Sequence, residues 1–530
     1  MGPLAKTATF SLSAIVATAA AIFWYAQKSE RNEQLAYQAR LDQGAALANR
    51  CAICHLQPDP SILPKRSWQI MLGDMGLLLG IRDQEYFEQM PGFAKVSQQR
   101  RQVHQHFNIL PAGQLITEEE WADLKFYYLE TAPEVPLPPP AKPEINWTLD
   151  QFEIQKPRNR LPSAFTTLTR IKPDTQELYL GDSGQNTLSI FDPNGRRKGL
   201  PIRLPTPITP VDIAFHGQTT FIASIGDVRG TDMIGRPGFI TRYDQKTGDS
   251  HVIIEQLHRL ADLELADLDG DQIPELITSG FGTAVGRLSS FWSEGDSYTE
   301  RPLVELPGAV KAQAHDFNQD GLLDVAALFG NAREGLHILT NRGDGAFSDR
   351  LIFQTHPGMG HTYFEIQDFN ADGRADLLVV NGDNVDSDPY NTLKNHHGLR
   401  ILLAQEDGSF LQSYFYPMQG AFIAKAADFD LDGDLDIAAI AYYPDFASSR
   451  PENFVYLENQ GNLSFAPSSD ETLNQGRWMT MDAGDIDGDG DPDIALGGAY
   501  TPLGMSHYKA QYEKLTKTGE AFLILKNQTR

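Results

Sequence analysis

The chain has 530 residues, which is more than one hydrophobic core normally serves, so two or more domains are expected. Hydrophobic residues make up 41% and charged residues 22%, a globular composition that excludes a largely disordered chain. The 70 acidic residues outnumber the 44 basic ones, and the formal net charge of −26 argues against nucleic-acid partners and favours bound cations.

Residues 1–27 have the pattern of an export segment, a signal anchor or a signal peptide. Lys6 precedes an uncharged run from 7 to 26 that is just long enough to span a membrane as a helix. Trp24 and Tyr25 lie where interfacial aromatic residues would lie, whereas the small residues of the run would suit cleavage. We favour an uncleaved anchor in the cytoplasmic membrane. Either alternative places the rest of the chain on the periplasmic or extracellular side.

The following segment, residues 28–132, is predicted to form a small all-α domain. Residues 28–50 have a helical pattern with few breaks. The last helix of the domain is marked at its start by Thr117 and Glu120, which have the spacing of a capping box.

The two cysteines of the chain lie in this domain, in the sequence Cys51-Ala-Ile-Cys54-His55. Two thiols three residues apart can reach both vinyl groups of one haem, and the next residue then lies beneath the iron as its proximal ligand. A zinc site or a disulfide framework would need further cysteines. The motif therefore predicts one covalent haem c bound by Cys51, Cys54 and His55.

The sixth ligand of the haem iron is left open by the residues alone. Met75 and Met90 are candidates, because methionine with histidine raises the potential and suits electron transfer. His104 or His106 would instead give bis-histidine ligation. Met71 lies four residues before Met75 on a predicted helix, so core packing is the alternative role of both methionines. We favour Met75.

A proline-rich spacer at 133–144 marks the start of a second domain at 145–530, in which five acidic segments recur at spacings of 49, 52, 60 and 57 residues. Each has oxygen-bearing side chains at positions 1, 3, 5 and 9 of a tight loop. Such alternating oxygens can surround one Ca²⁺, and their recurrence argues against ordinary Asx turns. The predicted ligands are Asp267, Asp269, Asp271 and Glu275 (loop 1); Asp316, Asn318, Asp320 and Asp324 (loop 2); Asp368, Asn370, Asp372 and Asp376 (loop 3); Asp428, Asp430, Asp432 and Asp436 (loop 4); and Asp485, Asp487, Asp489 and Asp493 (loop 5).

These loops differ from EF-hands, since position 12 has no Glu and strands flank each loop. Position 6 is Gly in four loops and Gln272 in loop 1. About four strands fall in each repeat of roughly 50 residues, which predicts an all-β propeller of seven blades, five of them with acidic loops. The last blade is one strand short, and we expect the segment 147–154 to supply its outer strand.

The acidic loops resemble the FG-GAP/VCBS repeats of integrin-type propellers, and Phe281-Gly282 and Phe329-Gly330 match the FG of that name. The N-terminal part resembles the cytochrome domain fused to such propellers in exported bacterial proteins. The matching residues are Cys51 to His55, Leu63-Pro64, Trp68, Met75-Gly76, Leu79-Gly80, Tyr127-Tyr128 and Ala132-Pro133. The resemblance implies haem binding with Met75 as a ligand, electron transfer and up to five Ca²⁺, but it implies no substrate.

Three functions are compatible with these features. The favoured one is a mono-haem cytochrome that carries electrons, with a propeller that binds a redox partner, another protein or a polysaccharide. The second is a haem-coupled dehydrogenase whose propeller funnel oxidises a small molecule or sugar. The third is an anchored adhesion propeller. Funnel candidates, which form no recognisable catalytic constellation, are Lys311, His315, His361, Lys425, Asp445 and Arg477.

Overall fold

A computed structural model describes residues 4–50, 55–110, 112–158, 164–204, 209–226, 228, 235, 237–282, 284–295, 297–384 and 388–529. Cys51 and Cys54 lie outside these residues, and His55 is the first described residue after them. Over the described residues, the chain folds into an N-terminal helical domain and a β-propeller, joined by the proline-rich spacer.

Five helices form the N-terminal domain: α1 (Leu4–Ala48), α2 (Lys65–Leu79), α3 (Gln84–Gln89), α4 (Pro91–His106) and α5 (Glu118–Thr131). Helix α1 is longer than the predicted 28–50, because the uncharged run and the polar segment after it form one continuous helix. Its side chains between Ile15 and Tyr25 are exposed. Over the part of the chain that the structure describes, no helix is both long and apolar enough to cross a membrane.

The C-terminal half of α1 packs on α5. The Arg40 guanidinium binds the Asp123 carboxylate at 2.7 Å, and the Tyr37 hydroxyl donates to Glu130 at 2.8 Å. The capping box at the start of α5 is confirmed, since the Thr117 side chain accepts the Glu120 amide and the Glu120 carboxylate accepts the Thr117 amide. These contacts hold the two ends of the helical domain together.

The propeller consists of seven four-stranded antiparallel sheets, as predicted. Blades 1 to 3 comprise β2–β5 (Thr166–Lys172, Glu177–Asp182, Thr187–Phe191, Arg197–Arg203), β6–β9 (Pro210–His216, Thr219–Ser224, Gly238–Asp244, Ser250–Leu257) and β10–β13 (Leu260–Ala266, Glu275–Gly280, Leu288–Glu294, Ser297–Val304). Blades 4 to 6 comprise β14–β17 (Ala309–His315, Asp324–Phe329, Gly335–Asn341, Phe347–Gln354), β18–β21 (His361–Gln367, Asp376–Asn381, Gly398–Ala404, Phe410–Pro417) and β22–β25 (Ala421–Ala427, Asp436–Ala441, Phe454–Asn459, Phe465–Ser468).

Blade 7 closes the ring with strands from both ends of the domain. It comprises β26 (Trp478–Gly484), β27 (Asp493–Gly498), β28 (Phe522–Asn527) and, as its outer strand, β1 (Phe152–Gln155). Phe152 pairs with Asn527 in this register. The predicted closure is therefore confirmed, and it covers a strand edge that would otherwise stay open to other chains. Helix α6 (Lys509–Thr518) lies between β27 and β28.

The burial of the strands explains why the blades stack. The second strand of each acidic-loop blade is buried at every residue, as in β15, because it is covered on both faces by neighbouring blades. Outer strands are less buried, and in β17 no residue is fully buried. Consecutive strands run in opposite directions. Loops between first and second strands therefore lie on one face of the ring, and loops between second and third strands lie on the other.

Candidate functional site

All five acidic loops connect the first and second strands of blades 3 to 7, so they share one face of the propeller. In loops 1, 4 and 5, three carboxylates each offer an oxygen within 4.8 Å of the others. Carboxylates this close repel one another unless a cation or protons lie between them. The groups are Asp267, Asp269 and Asp271; Asp428, Asp430 and Asp432; and Asp485, Asp487 and Asp493.

Backbone conformation shapes each loop around its first residue. The position 1 carboxylate accepts the amide of position 6, as in the bond of Asp316 with Gly321 at 2.8 Å. Position 6 has a positive φ in all five loops, including +70° at Gln272. Position 4 is also left-handed, with φ of +62° at Leu431. The sequence indicated only position 6, because position 4 is not always glycine.

Position 9 anchors the loop to its blade. The Asp324 carboxylate is fully buried and accepts the amides of Phe317 at 3.1 Å and Asn341 at 2.8 Å. The corresponding carboxylates of loops 3, 4 and 5 also accept two amides each. Burial raises the pKa of Asp436 to about 7 and that of Asp493 to about 6. Position 9 thus has a structural role besides its predicted one as a ligand.

Position 7 distinguishes the loops, although it is not among the predicted ligand positions. Loops 4 and 5 have Asp434 and Asp491 there, whereas loop 3 has Arg374, whose guanidinium pairs with the Asp372 carboxylate at 2.5 Å. These residues lie outside the predicted pattern of ligands at positions 1, 3, 5 and 9. Asp428 Oδ1 is buried without a hydrogen-bond partner among the described residues, and a cation would satisfy it. Loop 4 therefore fits a divalent cation better than loop 3.

The central channel is lined by ion pairs between neighbouring blades. Arg170 on β2 pairs with Asp212 on β6 at 2.5 Å. Lys425 on β22 lies 3.4 Å from Glu365 on β18 and 3.3 Å from Asp482 on β26. Each of these charges is therefore paired with a residue of an adjacent blade.

The channel carboxylates also accept backbone amides from the next inner strand. Glu365 accepts the amide of Ala426 at 2.9 Å, and Asp482 accepts that of Ile171 at 2.8 Å, which joins blade 7 to blade 1. At the acidic-loop end of the channel, a cavity of about 360 Å³ is bordered by Glu365, Lys425 and loop 5. These channel charges hold the blades together.

Two of the predicted funnel residues come together in the channel. Lys311 on β14 and Lys425 on β22 both approach the Tyr363 ring, at 5.1 and 5.5 Å from its centre, and Lys311 also pairs with Asp262 of the neighbouring blade at 3.5 Å. His315 is exposed and contacts the Phe317 ring at 5.2 Å, whereas His361 is buried and pairs with Glu334 at 2.8 Å. Arg477 is buried and donates to the carbonyls of Tyr442, Thr501 and Leu503, and Asp445 accepts the amide of Ala447 at 2.9 Å. These four residues have structural contacts of their own.

His55 has the hydrogen bond expected of a histidine that ligates a metal. Its Nδ1 lies 2.8 Å from the Leu56 carbonyl oxygen, so Nδ1 carries the proton and Nε2 is left with a lone pair. Burial lowers the pKa of His55, against the opposing effect of the Leu56 carbonyl. Burial, the larger of the two effects, favours the neutral imidazole, and the hydrogen bond at Nδ1 leaves the lone pair on Nε2.

The core of the helical domain separates the candidate sixth ligands. Met75 on α2 packs in the cluster that contains Leu47 and Ala48, the buried residues just before the cysteine motif. Met90 packs in another cluster, around Tyr86. In the first cluster Trp121 Nε1 is buried without a hydrogen-bond partner among the described residues, and a haem carboxylate would satisfy it. The Met75 side chain and the Trp121 indole N–H of this cluster therefore fit a bound haem.

The positions of Met71, His104 and His106 suit a sixth ligand less well than that of Met75. Met71 lies in the same cluster as Met75, half-buried. His104 on α4 is buried, and its Nδ1 lies 3.1 Å from the Arg100 carbonyl oxygen. His106 is exposed, with its ring against Phe107.

Of the comparisons with known proteins, the family model supports the repeats of the propeller. A family model described as an FG-GAP-like repeat matches residues 316–379 and 443–496, so the chain contains FG-GAP repeats. No curated protein matches the chain. A solved S. cerevisiae structure of a Dbp5 variant bound to Nup159, a Gle1 variant, IP6 and ADP shares 12% identity, covers 72% of this chain and 97% of that chain, and has a TM-score of 0.42. A likeness this low carries no argument about function.

Proposed function

We propose that this chain is an exported mono-haem c-type cytochrome that carries electrons, mounted on a calcium-stabilised FG-GAP propeller. The observation that carries the proposal is the Cys51-Ala-Ile-Cys54-His55 motif, with the Nδ1 of its histidine held by the Leu56 carbonyl, which leaves the lone pair on Nε2. Bound haem would supply one-electron redox chemistry. Cys51 and Cys54 would attach it, His55 would be its proximal ligand, and Met75 is the proposed sixth ligand.

Calcium is the proposed occupant of the acidic loops. Oxygen ligands on alternate residues of a tight loop suit this ion, and the clustered carboxylates of loops 1, 4 and 5 need a positive charge between them. Up to five ions would lower the negative charge on one face of the ring. The propeller would thereby gain stability.

The location and partners follow from the same proposal. The exposed apolar side chains between Ile15 and Tyr25 of α1 suit a lipid environment, so we propose attachment to the cytoplasmic membrane on its periplasmic or extracellular face. The propeller would bind the redox partner, or a protein or polysaccharide that positions the haem domain. The channel charges serve the contacts between blades, so the dehydrogenase alternative gains no support from them.

The test is covalent haem content. The full chain, produced with haem-attachment machinery, is assayed by the pyridine haemochrome spectrum beside a Cys51→Ser, Cys54→Ser double variant. The proposal expects one haem per chain that resists acidified-acetone extraction, and none in the double variant. His315→Ala, a change at an exposed histidine in blade 4, is the control and should keep the haem. A folded wild-type chain without covalent haem would refute the proposal.

A further inference from the structure

The helical domain rests on the propeller face opposite the acidic loops. The Ser67 hydroxyl of α2 and the Thr392 hydroxyl of the β19–β20 connection are 2.7 Å apart, and both residues are almost fully buried. Beside them, the Arg66 guanidinium lies 4.9 Å from the centre of the Tyr390 ring. A buried hydrogen bond between two hydroxyls indicates a packed interface, because at an open interface both hydroxyls would bind water. The spacer thus does not leave the two domains independent.

Blade 5 contributes a second contact through the loop at 355–360, which leads into β18. A β-carbon placed on Gly358 would lie 2.9 Å from the Cδ1 of Ile62, so only a glycine allows this approach without a shift. Ile62 follows the haem-binding motif by seven residues. The loop therefore packs directly against the segment that carries His55.

A group of histidines lies behind this contact. The His356 ring is 5.7 Å from that of His396, which is 5.4 Å from that of His397. The Gly358 amide donates to His356 Nδ1 at 3.2 Å, so in the neutral ring the proton is on Nε2, where it can be donated to an anionic group. Among the described residues, the groups able to hold a metal ion are those of loops 1, 4 and 5. The histidines are not among these groups.

The His356 ring lies beside the glycine that makes this contact, since a β-carbon placed on Gly358 would also be 3.2 Å from His356 Nδ1. On the other side of the contact, Ile62 packs in the same cluster as Met75, the proposed sixth ligand. His356 therefore lies close to the part of the helical domain that is proposed to hold the haem.

We propose that the 355–360 loop of blade 5, with His356, forms one wall of the haem pocket, so that the propeller limits water at the haem and raises its reduction potential. The inference rests on the proposed haem function. Protein packed around a haem keeps out water, which would otherwise stabilise the more highly charged ferric state. His356 is thus a positioning residue of the pocket wall.

The experiment measures the haem midpoint potential of the full haem-loaded chain by spectroelectrochemistry. Gly358→Val introduces a side chain that would clash with Ile62 and separate the loop from the helical domain, and the backbone at 358 tolerates a side chain because its φ is not positive. His356→Ala removes part of the wall without introducing a clash. His315→Ala, on the opposite face, is the matched control. We expect both wall variants to lower the equilibrium constant of reduction about threefold or more, which is ~28 mV for one electron, with the control unchanged.

The outcomes separate the inference from the function on which it rests. Haem-loaded variants that all keep the wild-type potential would overturn the wall and leave the cytochrome intact. A wild-type chain that attaches no haem would instead refute the proposed function. If Gly358→Val does not fold, His356→Ala decides alone, because its truncation leaves the loop backbone unstrained. A Soret band at the wild-type position shows that an altered potential does not come from a lost axial ligand.

Discussion

Charge in loop 4 should set its calcium affinity, and Asp430→Asn tests this. Loop 4 carries carboxylates at positions 1, 3, 5, 7 and 9, for a formal charge of −5. Loop 3 has three carboxylates, one Asn and Arg374, for a charge of −3 + 1 = −2. Asp430→Asn gives loop 4 the side chain that loop 3 has at position 3. The change keeps an oxygen ligand of the same size and removes one charge.

The magnitude follows from Coulomb's law. Asp430 offers an oxygen within 4.8 Å of those of Asp428 and Asp432, so an ion between them would be about 4 Å or less from the carboxylate charge. A divalent ion and a unit charge at about 4 Å interact by ~2 kcal/mol even with the screening of bulk water. Losing this interaction weakens binding about 30-fold.

The assay is calorimetric titration of calcium into the metal-free full chain. Asp430→Asn should weaken one binding event about 30-fold and leave the other loops unchanged. Asp150→Asn removes the same charge at an exposed position outside the loops and is the matched control. The reasoning is refuted if Asp430→Asn binds like the wild type, or if Asp150→Asn weakens binding equally.

Three further changes test the fold by urea unfolding. Ala371→Gly relieves a φ of +55° at position 4 of loop 3 and should stabilise the metal-free chain by about 0.5–1 kcal/mol; a loss of stability contradicts the strain. Burial lowers the pKa of His396 to about 3, below the unfolded value of about 6.5. The unfolded chain therefore takes up a proton that the folded chain does not, and the free energy of unfolding falls by about 1.4 kcal/mol for each pH unit below 6. His396→Asn should flatten this dependence between pH 6 and 4, and an unchanged slope would argue against a neutral His396. Arg477→Met leaves two buried carbonyls and one partly buried carbonyl without this donor and should cost at least about 3 kcal/mol. The exposed Arg450→Met should cost less than about 1 kcal/mol, and equal losses would contradict a special role of Arg477.

Periodic features of the propeller could be predicted because they depend on neighbours in sequence. Alternating strands and recurring acidic loops gave seven blades, and the missing strand of blade 7 indicated that an N-terminal segment would close the ring. The capping box at Thr117 is likewise local. Helix α1 extends beyond the predicted 28–50, because the change from apolar to polar residues does not end the helix.

Features that depend on distant residues could not be predicted. The hydroxyls of Ser67 and Thr392 meet across 325 positions, and no pattern in either segment indicates the other. The positive φ at Leu431 is hidden for another reason, since leucine rarely adopts it and only the repeated loop enforces it. Lys425 lies in the channel, as predicted, but its partners Glu365 and Asp482 come from two other blades, and no pattern around Lys425 indicates them.

The most direct test of the central claim is a redox titration of the full, haem-loaded chain, followed by its visible spectrum. The account predicts that one haem per chain takes up and releases one electron reversibly, with a slope of about 59 mV per tenfold change in the ratio of oxidised to reduced protein. His55→Ala should lose the wild-type spectrum and potential. A chain that folds with calcium but takes up no electron reversibly would contradict the account and leave a binding propeller.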